Sequence, residues 1–244
     1  MTQVLRKPAP VSLKTLWVLL PARLVLFALA QGLVALGAVS FAEDAWEASL
    51  RWWPFGVVAV NLLTVAILAR LCMAEGLKYR DLIAFDRAHF RADLQIAMIA
   101  AVGLMLIAVV PNFVLAAWLF GSSDAAAELF VRSVPLWASM LLLVLFPATI
   151  ALAELPLYFG WIMPRLEAAG MRIWQAVFWP SLFAAAQHIS MPLLFDVRFI
   201  AWRLLMFIPF AFALGIVLRW RPRLLPFLMV LHALLDISVV ALTF

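Results

Sequence analysis

The sequence predicts an all-α fold: a polytopic transmembrane helical bundle of about seven spans. Three observations predict it. Of the 244 residues, 68% are hydrophobic and 13% are charged, with a mean hydropathy of +1.10. A soluble domain carries about 25% charged and about 45–50% apolar residues, so one soluble core cannot hide this much apolar surface. The apolar residues also gather into runs of about 20, the length that crosses a bilayer core. Finally, Lys and Arg concentrate in alternate connections between the runs.

The runs cover 16–40, 52–72, 95–120, 131–158, 173–192, 199–218 and 223–243. They use up the chain, so one membrane domain, 1–244, is expected. Residues 16–129 supply its N-terminal spans and a surface helix, and 130–244 supply its core. The first run follows Arg6, Lys7 and Lys14, and Ser40-Phe41-Ala42 mimics a signal-peptidase site. A signal peptide's apolar stretch is only about 7–15 residues long, so a retained first span is expected. Arg23 lies inside it and is expected to snorkel toward the headgroups.

Basic residues mark the N-terminus and three connections: 73–94 (Lys78, Arg80, Arg87, Arg91, with Arg70 just before), 159–172 (Arg165, Arg172) and 219–223 (Arg219, Arg221, Arg223). The intervening connections are acidic or poor in Lys and Arg. The alternation predicts a multi-pass protein of the cytoplasmic membrane, N-terminus cytoplasmic and C-terminus outside. Membrane lipids are its expected surroundings. The net charge of +5 is accounted for by these flanking residues, so no nucleic-acid partner is expected. Cys72 is the single cysteine, which excludes an intrachain disulfide and a cysteine metal cluster. The stretch 77–90 alternates charged and apolar residues at helical spacing and predicts an amphipathic helix on the cytoplasmic surface.

Ionisable groups inside a membrane are costly and mark function or pairing. Within the runs they are Arg23, Glu154, His188, Arg203, His232 and Asp236, leaving aside Arg70, Arg132 and Arg223 at run edges. Four of the six are acid–base groups on the fourth, fifth and seventh runs. His232 and Asp236 are four residues apart and share a helix face. Asp236 can accept a ring proton from His232 and leave the other nitrogen free for substrate, water or metal. Glu154, expected among Leu, Ala and Phe, has the chemistry of a general base that takes a proton from water and passes it to a leaving amine. His188 and His232 then polarise the carbonyl and stabilise the oxyanion. Alternatively His188, His232 and Asp236 hold a divalent metal such as zinc, with Glu154 as base. As a structural group, Glu154 would pair with Arg203 or a histidine.

These residues resemble the motifs of the CPBP family of intramembrane endopeptidases, which includes CAAX proteases and bacteriocin-processing enzymes. That family carries Glu-Glu-x-x-x-Arg, Phe-x-x-x-His and His-x-x-x-Asn/Asp on three helices. Glu154, His188, His232 and Asp236 match, as does Gly160, the glycine that follows the arginine. Leu155 stands at the second glutamate, Phe159 at the arginine and Ala184 at the aromatic. The resemblance covers roughly 130–244. It implies hydrolysis of a peptide bond in a membrane-associated peptide or protein substrate, with Glu154, His188, His232 and Asp236 as catalytic residues. The departures keep a second reading open, a catalytically inactive scaffold or immunity-type protein of the same fold. A proton-coupled small transporter is a third, disfavoured by the absence of an internal repeat. One tension remains at this level: straight runs place Glu154 near the cytoplasmic end of its span and His188 near the outer end of the next.

Overall fold

A computed structural model describes residues 11–241. Arg6, Lys7 and the last positions of the seventh run lie outside the described residues. The described chain is helical throughout, with a single isolated bridge, Ser190 to Leu193. The helices are α1 (Leu13–Ala38), α2 (Ala45–Ser49), α3 (Trp53–Ala74), α4 (Tyr79–Leu82), α5 (Phe90–Phe120), α6 (Ser123–Glu128), α7 (Leu136–Leu155), α8 (Met163–Ala168), α9 (Ile173–Ala186), α10 (Val197–Trp220) and α11 (Leu225–Ala241). A π-helical segment, Pro156–Ile162, joins α7 to α8 without a break, and a 3-10 turn, Gln187–Ile189, ends α9.

Among the described residues, five helices are long and apolar enough to cross a membrane: α1, α3, α5, the continuous Leu136–Ala168 and α10. The other two apolar runs form shorter helices. α9 has 14 residues, about 21 Å of rise against a hydrocarbon core of about 30 Å, and the described part of α11 has 17. Local signals set the ends. Ser12 and Asp196 cap α1 and α10 by accepting from Thr15 N and Phe199 N. Gly121, at φ +84°, closes α5 in the left-handed conformation that glycine adopts without strain.

At the centre, α7 packs between α3 and α11, while α10 packs between α9 and α5, and α1 lies on α3. In α1 the buried positions are Leu16, Leu20, Arg23, Phe27, Gln31, Ala35 and Ala38, one stripe at spacings of three and four. Many apolar positions of α5 point away from the bundle, for example Ile99 at 74% exposure, while Ala97, Leu104 and Ala116 are buried.

The amphipathic helix expected over 77–90 does not form. Only the four residues of α4 are helical. Asp81 accepts from the backbone N–H of Lys78, and Asp86 from that of Ala88 and from the His89 ring. The Asp81 bond caps the start of α4, whereas the Asp86 bonds offer the backbone an alternative to the helical ladder. The segment instead folds over α11, with Phe85 and Phe90 against Phe227.

The π segment follows from Pro156. Proline donates no N–H, so the carbonyl four residues earlier, that of Leu152, loses its helical partner. The Tyr79 hydroxyl of α4 donates to it instead. Widened turns of this kind cluster at functional sites.

Candidate functional site

The continuation of α7 through the π segment removes the depth conflict. Glu154 lies 14 residues before Ala168, the end of α8, and His188 lies 15 residues after Ile173, the start of α9. At about 1.5 Å per residue both sit about 21–23 Å from the α8–α9 turn. The third helix is registered by Gly160. A Cβ there would lie 2.9 Å from Leu225 Cδ2, so Leu225 is level with Gly160. Six or seven residues along each helix from that contact lie Glu154 and His232, about 9–10 Å away in the same direction. Glu154, His188 and His232 therefore share one level of the bundle. α7 packs on α11, and the turn bearing His188 packs on α1 and α10.

Each side chain is held by identifiable contacts. Glu154 is 3% exposed, and its Oε2 lies 3.7 Å from Arg23 Nη2. His188 is buried, its ring stacked on Phe207 at a centroid distance of 3.6 Å. Its Nδ1 lies 2.9 Å from the Ala184 carbonyl oxygen. A carbonyl only accepts, so Nδ1 carries a proton, and in the neutral ring Nε2 is an acceptor. His232 Nε2 lies 3.3 Å from Asp236 Oδ2, the expected i,i+4 pair, but the two are not aligned as a hydrogen bond.

Arg23 corrects one expectation. It does not snorkel: it is 1% exposed. Its Nε donates to Gln187 Oε1 at 2.6 Å and its Nη1 to Thr64 Oγ1 at 3.3 Å. α1 thus delivers a guanidinium to Glu154, whose surroundings are not purely apolar as expected. Arg203, the other partner considered for Glu154, is engaged elsewhere. It donates to the His188 and Met191 carbonyls and lies over the rings of Phe130, Trp202 and Phe207. Sequence spacing held a signal for Arg23, since it shares the buried stripe of α1 with Gln31. Gln31 exchanges bonds with Leu193 N and O, and Ser190 Oγ donates to the Leu24 carbonyl. The turn bearing His188 is therefore fastened to α1.

The departures from the motif are apolar core. Leu155 and Phe159 are 1% and 4% exposed, and Phe159 packs at Gly215. The zinc arrangement expected of His188, His232 and Asp236 is not formed. Among the described residues no group of three His, Cys, Asp or Glu side chains is drawn together to hold a metal ion.

Four polar atoms of the cluster have no hydrogen-bond partner in the protein: Arg23 Nη2, Glu154 Oε2, His232 Nδ1 and Asp236 Oδ2. Buried polar groups are seldom left so. An acid, a cation and two imidazoles at one level, with donors and acceptors to spare, can bind water and a carbonyl and move a proton between them. No protein-family model, curated protein or solved structure matches the chain.

Proposed function

We propose that the protein is an intramembrane endopeptidase that hydrolyses a peptide bond of a membrane-associated substrate with Glu154-activated water. The observation that supports the reading is that helix rise puts Glu154, His188 and His232 at one level of the bundle, with unpartnered Glu154 and His232 atoms. Glu154 takes a proton from water and the hydroxide attacks the carbonyl carbon. His188 Nε2 accepts the second water hydrogen and orients the nucleophile. When the C–N bond breaks, Glu154 returns its proton to the leaving amine. Asp236 orients His232 beside the reacting group. No step runs through a metal.

In this reading the chain crosses the cytoplasmic membrane seven times, with α9 and α11 as the two shorter crossings. Its N-terminus is cytoplasmic and its C-terminus outside. The excess of Lys and Arg at the α8–α9 end supports that orientation. The decisive experiment is turnover of a membrane-associated peptide substrate by wild type and Glu154→Gln. Loss of turnover in a folded variant is the expected result, and undiminished turnover excludes the mechanism.

A second reading is favoured by the buried Arg23–Glu154 pair. A non-catalytic scaffold of the same fold would use the pair to tie α1 to α7. In that case Glu154→Gln and His188→Ala leave the cellular phenotype intact, whereas changes on an exposed helix face abolish it.

A further inference from the structure

The hydrolysis proposed above requires a donor for the oxyanion that forms when water attacks the carbonyl. Oxyanion donors must be in place before the charge develops. The inventory of the site narrows the choice. Neutral His188 spends its one ring proton on the Ala184 carbonyl, so Nε2 cannot donate. His232 faces the Asp236 carboxylate through Nε2. If that nitrogen carries the proton, its free Nδ1 is an acceptor. The Trp161 indole N–H and the Ser181 hydroxyl also lack a partner, but Trp161 lies beneath the Arg165 guanidinium, seven residues from Glu154, and Ser181 lies seven residues from His188, each about 10 Å along its helix. Arg23 Nη2 is a donor whatever the tautomers of the two rings, permanently protonated and without a hydrogen-bond acceptor.

Its placement fits the task. Nε and Nη1 are anchored to Gln187 and Thr64, so the plane of the guanidinium is fixed and Nη2 is its free corner. Gln187 is the residue before His188, which couples the guanidinium to the turn that positions that ring. Nη2 lies 3.7 Å from Glu154 Oε2, too long for a hydrogen bond. An oxygen placed about 2.8 Å from both atoms would bridge this edge with an apex angle of about 83°. That is a site where a water bound to Glu154 and the carbonyl oxygen it attacks can meet the same guanidinium.

We propose that Arg23, contributed by α1 from outside the half that carries the other site residues, is a catalytic residue whose Nη2–H group binds the substrate carbonyl oxygen and stabilises its oxyanion. The proposal rests on the hydrolase reading above. In the step, a water O–H bond breaks and its proton passes to Glu154, while the water oxygen bonds to the carbonyl carbon. The carbonyl π pair moves onto the oxygen held by Arg23. Collapse restores the C=O bond and breaks the C–N bond, and the Glu154 proton goes to the amine nitrogen.

The test uses the purified full chain in detergent micelles with fluorescein-labelled casein as a sequence-tolerant probe. Wild type, Glu154→Gln and Arg23→Ala are compared, with folding followed by circular dichroism. Arg23→Ala is expected to lower kcat by about 10²–10³-fold with KM little changed, and millimolar guanidinium ion to restore part of it. Where alanine does not fold, Arg23→Gln, which keeps an amide donor and drops the charge, takes its place. If Glu154→Gln is inactive while the Arg23 variant turns over within a few-fold of wild type, the Arg23 role falls and the hydrolase reading stands. A kcat loss that tracks loss of folded protein and is not rescued makes Arg23 a structural tie, and also overturns the proposal. If wild type does not cleave, or Glu154→Gln cleaves as well as wild type, the hydrolase reading falls and this inference with it.

Discussion

Arg23 and Glu154 are predicted to be energetically coupled far more strongly than a surface ion pair. The perturbation is a double-mutant cycle of Arg23→Met, Glu154→Gln and the two together. At 3.7 Å between Nη2 and Oε2, Coulomb's law with an effective dielectric constant of about 20 gives about 4 kcal/mol. Both side chains are nearly inaccessible, at 1% and 4%, so solvent screening removes little of it. Each single change leaves one buried charge uncompensated and is expected to cost about 3–5 kcal/mol. Arg23→Met also loses the bonds to Gln187 and Thr64, but that loss occurs with or without Glu154 and largely cancels in the cycle. The assay is reversible unfolding in mixed micelles, followed by tryptophan fluorescence as denaturing detergent is titrated in. The double variant is expected to be more stable than the sum of the singles by about 4 kcal/mol. A coupling below about 1 kcal/mol, the range of exposed pairs, would refute the claim that these charges face each other inside the bundle.

Further predictions come from other parts of the fold. Gly215→Ala places a methyl 2.5 Å from Ser181 Oγ and 3.1 Å from Phe159 Cε1, so a loss of about 1–3 kcal/mol is expected in the same unfolding assay. Tyr79→Phe removes the donor to the Leu152 carbonyl that Pro156 leaves free and should cost about 1–2 kcal/mol. In a Pro156→Ala background, where the restored N–H serves that carbonyl, the same change should cost little. At the surface, the bond from His89 holds the Asp86 carboxyl below its ordinary range, with the Ala88 N–H adding to the effect. A carboxylate favoured by the fold contributes above its unfolded pKa, and the contribution is lost as pH falls through the lowered folded value. The His89 ring resonances are therefore expected to shift on acidification below about pH 4, and Asp86→Asn to abolish that step.

The membrane class was legible because composition alone excludes a soluble core, and α1, α3, α5 and α10 fall close to the apolar runs that predict them. The lengths of α7 and α9 were not legible. Hydropathy ends the fourth run at 158, yet α7 continues through the π segment to Ala168. Nor does it reveal that α9 stops at Ala186 although the apolar run extends to 192. Both facts decide whether Glu154 and His188 share a level. The surface helix at 77–90 failed for a local reason, the competing backbone bond of Asp86. Glu154, His188, His232 and Asp236 could be picked out because an ionisable residue in an apolar run is conspicuous. Arg23 was equally conspicuous, but a lone arginine has the same local sequence whether it faces lipid or a partner. What distinguishes the two is the stripe it shares with Leu16, Leu20, Phe27 and Gln31, a property of the whole helix.

That stripe bears on how the candidate site is assembled. The residues that carry the motif resemblance all lie after position 130, yet the guanidinium facing Glu154 comes from α1 and is braced by Thr64 of α3. The motif's own arginine position holds Phe159, packed where Gly215 lets α10 approach. A cation restored at Phe159 would have to replace a ring in that contact, whereas α1 reaches the carboxylate through a face already buried. The cluster therefore depends on α1 being docked, and the docking is specified by polar contacts: Gln31 with Leu193, Ser190 with Leu24, and Arg23 with Gln187. These contacts join α1 to the turn carrying His188. A change that loosens α1 would separate the guanidinium from Glu154 and release that turn together, so the polar cluster and the packing of the N-terminal helix should be lost as one unit.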